Sequence, residues 1–236
     1  MFLGRQLLSL VASSVVPHGI PAAVFLDVDG VLIDSVDLKG EAFVETFEDF
    51  PHSAEKVLAF HRAHGGLPRE LKIRQILASL GDESPTESEI SDRVSRFTDL
   101  VAQQVIDAAE MPGTYEFLRS WSQQCPLYAV SATPDEELQR IVAARGLLPF
   151  FQRVRGWPPE KSGLIGQEIA SGGFKASECI LVGDSNEDYQ AAKRALVPFI
   201  FFGAARPGVT HANVPRIGTW SSFAKAVSEV LDHSGP

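Results

Sequence analysis

Cysteine is scarce in this chain: its 236 residues contain two, Cys125 and Cys179. Neither has ligand spacing around it. That excludes a disulfide framework or a thiolate metal cluster and leaves two small apolar residues beside expected core strands. Basic residues are also few, with 21 Lys and Arg against 30 Asp and Glu and a net charge of −9. Such a balance lacks the electrostatic footprint of a general binder of nucleic acid or anionic membrane. Any anionic substrate must therefore be met by a local cation. No apolar run reaches the ~18 residues of a membrane span. The nearest, Leu7 to Val16, is interrupted by serines and follows a single Arg5. Pro17-His18-Gly19 lacks the small-x-small pattern of a cleavage site. Residues 1–20 thus read as an N-terminal extension, either a short packing helix or a loose tail. A cytoplasmic monomer is the default expectation. Internal repeats and low-complexity runs are absent too.

What is present is ordinary in bulk and unusual in one place. A hydrophobic share of 44% and a charged share of 22% suit one large soluble domain, or one domain with a sizeable insertion. The unusual place is Asp27-Val28-Asp29-Gly30-Val31, which follows the apolar run Ala22-Ala23-Val24-Phe25-Leu26. Five apolar residues before a turn signal read as a strand buried on both faces. Side chains at i and i+2 of an extended chain point the same way, so Asp27 and Asp29 share one small space. Two close carboxylates repel unless a cation sits between them or one takes a proton. A calcium loop does not fit: Val31 occupies the place of the third oxygen ligand, and no Glu follows at the required distance.

From Leu38 to about Ala109 the chain reads as helical. Lys39 to Phe50 carries an apolar stripe of Ala42, Phe43, Phe47 and Phe50. Ala54 to His64 forms a second helix, broken by Gly65-Gly66. Pro68 opens a third, which runs to Leu80 and stops at Gly81. Thr86-Glu87-Ser88-Glu89 is a capping-box signature before the longest helix. After Met111-Pro112-Gly113 the texture becomes alternating strand and helix, with strands at Leu127 to Val130, around Phe151 to Val154, Cys179 to Val182 and Pro198 to Phe202. Thr133-Pro134-Asp135-Glu136 reads as a helix start with Thr133 as N-cap, and Trp220 to Leu231 as a final amphipathic helix. The fold class is therefore α/β: a Rossmann-like parallel sheet with helices on both faces, plus an inserted all-helical domain. The boundaries fall at 21–35 and 110–236 for the core and 36–109 for the insertion.

In such sheets ligands sit outside the carboxyl ends of the strands. Asp27 and Asp29, Ser131 and Thr133, Lys161 at a loop tip, and Asp184 and Asp188 all lie at such ends. Asp27, Asp29 and Asp184 supply hard oxygen ligands suited to Mg²⁺. Lys161 and Ser131, with backbone N–H groups at a helix start, favour a phosphate. A carboxylate held against a phosphoryl group can attack it, and a second acid must then handle the leaving group's proton.

Four motifs in this order resemble the haloacid dehalogenase-like hydrolase superfamily, in its phosphatase branch with a helical cap. They are Asp27-Val28-Asp29-Gly30-Val31, the strand-end Ser131, the loop Lys161, and Gly183-Asp184-Ser185-x-x-Asp188. The resemblance implies Asp27 as nucleophile and Asp29 as general acid/base. It implies Mg²⁺ held by Asp27, the Asp29 carbonyl and Asp184, with Asp188 either in the metal shell or orienting Lys161. It puts Ser131, Ala132 and Lys161 on the substrate phosphate. Having Asp29 and Asp184, the chain resembles the phosphoryl-transfer members rather than the dehalogenases. Gly65-Gly66-Leu67-Pro68-Arg69 resembles the cap segment that sets specificity in phosphoglycolate phosphatases and β-phosphoglucomutases, so Gly66 and Arg69 are expected to meet the substrate. The mutases carry His where Lys39 stands, which favours hydrolysis. Relatives often have Gly at Leu196, a difference expected to alter only a helix exit. The expected function is a Mg²⁺-dependent phosphatase acting on a small phosphorylated metabolite. A phosphosugar mutase and a non-catalytic binding protein of the same fold are the alternatives.

Overall fold

The computed structural model describes residues 19–82, 84–204 and 213–232. The apolar stretch Leu7 to Val16 lies outside them. Among the described residues six strands form one parallel sheet: β1 (Ala23–Leu26), β2 (Leu127–Pro134), β3 (Arg153–Trp157), β4 (Cys179–Gly183), β5 (Phe199–Phe202) and β6 (Arg216–Ile217). Their order is β3-β2-β1-β4-β5-β6. The chain thus winds outward from the central β1 in two directions, and the switch point lies at β1.

Alternation along β1 builds both layers. Val24 and Leu26 enter one apolar cluster and Ala23 and Phe25 the other, because successive side chains of a strand face opposite ways. The first cluster is covered by α5 (Thr114–Trp121), α6 (Asp135–Ala144) and α9 (Phe223–Asp232), through Phe117, Leu138, Ile141 and Phe223. The second is covered by α7 (Lys161–Gly172) and α8 (Asn186–Ala195), through Leu164, Ile165, Ala191 and Ala192. This is the expected Rossmann-like architecture with helices on both faces.

Between β1 and α5 stand four helices: α1 (Val36–Thr46), α2 (Ala54–Ala63), α3 (Arg69–Leu80) and α4 (Glu87–Asp107). Phe43, Phe47, Ile73, Phe97 and Val101 are buried among them, and the Phe43 and Phe97 rings lie 4.1 Å apart. The capping box at Thr86 and Glu89 is formed, and Gly81 ends α3 in the left-handed conformation. No helix among the described residues is long and apolar enough to cross a membrane.

Two local expectations are corrected, and one strand is added. β2 continues past Val130 to Pro134, so α6 begins at Asp135 and Thr133 is not its N-cap; extension of the sheet outweighs the local capping signal. Lys161 opens α7 rather than sitting at a loop tip. β6, two residues long, carries too little pattern to be read from sequence.

Candidate active site

The site is built at the carboxyl end of the sheet, and β1 delivers its first two acids. Beyond Leu26 the chain turns at Gly30, whose φ is +77°. A Cβ there would stand 2.3 Å from Asp184 Oδ2, so close approach as well as backbone conformation demands glycine. Asp184 follows β4, and Asp188 lies in the first turn of α8. A capping box fixes Asp188: the Ser185 hydroxyl donates to Asp188 Oδ2 at 2.6 Å, and the Asp188 N–H donates to Ser185 Oγ at 3.2 Å. Oδ2 is thereby committed to the helix cap, while Oδ1 accepts from Lys161.

Asp27, Asp184 and Asp188 are buried and bring one carboxylate oxygen each within 4.8 Å of one another. Lys161 bridges two of them, 2.8 Å from Asp27 Oδ1 and in contact with Asp188. Burial and the Asp188 charge push the Asp27 carboxyl well above the usual carboxylate range, against the opposing pull of Lys161. Burial alone would lower Lys161, but Asp188 and Asp27 outweigh it and raise the ammonium's pKa. One lysine facing three buried acids leaves a surplus of negative charge. The donor set is all oxygen and anionic, which fits a hard divalent cation such as Mg²⁺.

Asp29 sits in a different environment. Its Oδ1 accepts from the Ser35 hydroxyl at 2.6 Å and lies 2.7 Å from Lys39 Nζ. Its Oδ2 accepts from the Thr133 hydroxyl at 3.2 Å. Burial would raise this carboxyl, yet Lys39 and the two hydroxyls overcome it and hold the pKa at about 2. Two acids two residues apart are thus driven in opposite directions by their neighbours, the pattern by which environment separates carboxylate roles.

Ser131 lies within β2 and accepts from the Thr133 N–H at 3.1 Å. Ser131 and Ala132 line the cavity over Asp27 and Asp29, and also the adjoining one beside Lys161 and Asp188. Gly66 lines both cavities and packs closely on the start of α8, since a Cβ there would stand 2.8 Å from both Ser185 Oγ and Glu187 Cβ. Arg69 lines the cavity from α3, but its guanidinium is committed. Nη1 and Nη2 pair with Glu137 of α6 at 2.8 and 2.9 Å, and Nη1 also donates to Thr98 at 2.5 Å.

Sequence reasoning did not find Thr133 and Lys39 as partners of Asp29, nor Glu137, His61 and Lys72 in this region. A signal was available for both lysines. Lys39 lies one turn before Phe43 on α1, and Lys72 one turn after Arg69 and one before Ile76 on α3. A lysine on the apolar stripe of a helix needs a polar destination.

A family model for haloacid dehalogenase-like hydrolases matches residues 21–195. The chain belongs to that family. No curated protein matches it in sequence. Solved structures resemble this haloacid dehalogenase-like hydrolase over nearly their full lengths. A haloacid dehalogenase-like hydrolase from Streptococcus pneumoniae is 21% identical with a TM-score of 0.69, covering 88% of this chain and 98% of its own. A predicted phosphatase from Clostridium acetobutylicum is 16% identical with a TM-score of 0.73, covering 89% and 99%. CbbY from Rhodobacter sphaeroides, solved with xylulose-1,5-bisphosphate, is 16% identical with a TM-score of 0.69, covering 86% and 96%. At these identities the likeness is one of fold, and the chemistry of this haloacid dehalogenase-like hydrolase has to be argued from its own residues.

Proposed function

We propose that the chain is a Mg²⁺-dependent phosphatase of small phosphorylated metabolites that works through an aspartyl-phosphate at Asp27. The observation that carries this reading is the buried cluster of Asp27, Asp184 and Asp188, bridged by Lys161 and set beside a separately held Asp29. Asp27, Asp184, Asp188 and the Asp29 carbonyl would hold the cation. When bound, Mg²⁺ supplies positive charge that offsets repulsion between an anionic nucleophile and an anionic phosphoryl group.

The remaining work falls to the chain's own groups. Ser131, the backbone at Ala132 and Lys161 orient the phosphoryl group, and Lys161 neutralises part of its charge. An Asp27 oxygen attacks phosphorus, and the bond to the ester oxygen breaks. Asp29 gives the departing alkoxide its proton. Asp29 then takes a proton from water as the water oxygen attacks phosphorus, releasing phosphate and restoring the Asp27 carboxylate. Held by Lys39, Asp29 is ionised and suited to the base half of this cycle. Lys39 belongs to the helical insertion, so movement of that insertion as a cap would release Asp29 to take up the proton that the first half requires. The cavity beneath the cap is small, about 50 Å³, which supports a short substrate.

The test is phosphate release from a panel of small phosphomonoesters with Mg²⁺, with Asp27→Asn as the blank. Turnover is expected only with intact Asp27 and free Mg²⁺. Activity that survives Asp27→Asn or EDTA overturns the reading.

A further inference from the structure

Three cations of the helical insertion line the cavity over Asp27: Lys39, Arg69 and Lys72. Two are already answered by carboxylates, Lys39 by Asp29 and Arg69 by Glu137. Lys72 is not. Its ammonium, on a residue only 3% exposed, lies 3.3 Å from His61 Nδ1, 3.2 Å from the Gly65 carbonyl and 5.2 Å from the Phe43 ring centroid. His61 Nε2 stands 3.0 Å from the Val36 carbonyl. A carbonyl only accepts, so Nε2 carries a proton, and an ammonium only donates, so Nδ1 meets it with a lone pair. Every contact of Lys72 is therefore with a neutral group. An ammonium has three N–H donors, and two of these find acceptors among the described residues.

A buried charge without a counter-charge is costly to keep. Burial pulls Lys72 down to about 7; Lys39 pulls the same way, while Glu187, Asp29 and Asp184 resist from farther off. A hydrophobic residue would fill this place on α3 more cheaply, unless the lysine meets an anion that arrives with the substrate.

We propose that Lys72 is the specificity-determining cation of this site. It receives a second anionic group, of carboxylate size, on the alcohol side of a short phosphomonoester. The proposal rests on the phosphatase reading above and narrows its substrate class. The phosphoryl group lies toward Asp27 and Lys161, and the second anion toward the cap, where Lys72 is the cation that no carboxylate pairs. Asp27 and Lys72 line the same cavity, which favours a short ester that can reach both.

Two probes that differ only in that group test it: phosphoglycolate and 2-hydroxyethyl phosphate, with phosphate release measured under Mg²⁺. The readout is the ratio of their kcat/KM values. In wild type it should favour the carboxylated ester. In Lys72→Met, which keeps an unbranched apolar stem, it should fall about 10- to 100-fold, the worth of one charge-assisted hydrogen bond. Circular dichroism and thermal unfolding confirm that the variant is folded. A second measurement needs no variant. Across pH 6 to 9 the ratio in wild type should decline as Lys72 loses its proton, once each ester's rate is corrected for the fraction of its own phosphate that is dianionic. The groups facing Lys72 are Lys39 on α1, His61 on α2, Glu187 on α8, and Asp29 and Asp184 at the strand ends. They act on both esters alike unless the second anion is read there. A ratio unchanged in Lys72→Met, or flat with pH in wild type, overturns the proposal and leaves the phosphatase reading standing. Turnover of neither ester by wild type, while another phosphomonoester of the panel is hydrolysed, likewise overturns the proposal and leaves the phosphatase reading standing.

Discussion

Lys39 on the helical insertion reaches within 2.7 Å of Asp29 Oδ1, and it also donates to the Thr133 hydroxyl at 3.1 Å. One ammonium thus ties the insertion to two strand ends of the core and sets the protonation of the acid between them. Several consequences of this and the neighbouring contacts can be measured.

The first is a pH dependence of stability. The Asp29 carboxyl is held at about 2 in the folded chain against an ordinary 3.8. A depressed folded pKa contributes stability that is fully present above the unfolded value and is lost as pH falls through the folded one. Urea unfolding of wild type and Asp29→Asn at pH 5, 4, 3 and 2 should show the wild type's relative advantage shrinking by about 2 kcal/mol, mostly between pH 4 and 2. A difference that stays constant over that range contradicts the pairing.

Asp188 has two tasks that a conservative change can separate. Its Oδ2 closes the α8 capping box and its Oδ1 faces Lys161 and the acidic cluster. Asp188→Asn keeps the shape and removes the charge, so the Mg²⁺ concentration for half-maximal activity should rise about 10- to 100-fold. Asp188→Ala should in addition lose about 1 kcal/mol of stability through the cap. Metal titration and urea unfolding read the two effects apart.

The Arg69–Glu137 pair joins α3 to α6 with both residues buried. Removing one partner strands the other's charge, at a cost on the order of 3–5 kcal/mol. In Glu137→Ala that cost should fall on closure of the insertion over the core, seen as faster hydrogen exchange in α3 with the core strands still protected. Combining Arg69→Met with Glu137→Leu should recover most of the protection. If exchange in α3 is the same in all three proteins, the pair is not holding the two parts together.

Leu196 ends α8 with φ of +57° and is 77% exposed. A left-handed L-residue costs about 1–2 kcal/mol, and glycine gives back roughly half of the relief through its greater freedom when unfolded. Leu196→Gly should therefore raise stability by about 0.5–1 kcal/mol, with no change in phosphate release. A loss of stability would mean that Leu196 makes packing contacts its exposure conceals.

The sequence by itself determined the parallel α/β sheet, the all-helical insertion and the strand ends where Asp27, Asp29, Ser131 and Asp184 stand. Each of these is written in local periodicity, in turn residues, or in the spacing of side chains along one strand, and local geometry turns such patterns into structure without further information. Only the tertiary structure decided that Lys39 meets Asp29, that Arg69 spends its charge on Glu137, and that the hydrogen bonds of Lys72 go to His61 and the Gly65 carbonyl rather than to a carboxylate. Those facts depend on which faces of the insertion and the core come together. Lys39 and Thr133 are 94 residues apart in the chain, and a short-range pattern carries no term for a contact across that distance. Even Thr133, which sits among the motif residues, reads locally as a helix cap; the strand runs on past it and turns its hydroxyl to Asp29 instead.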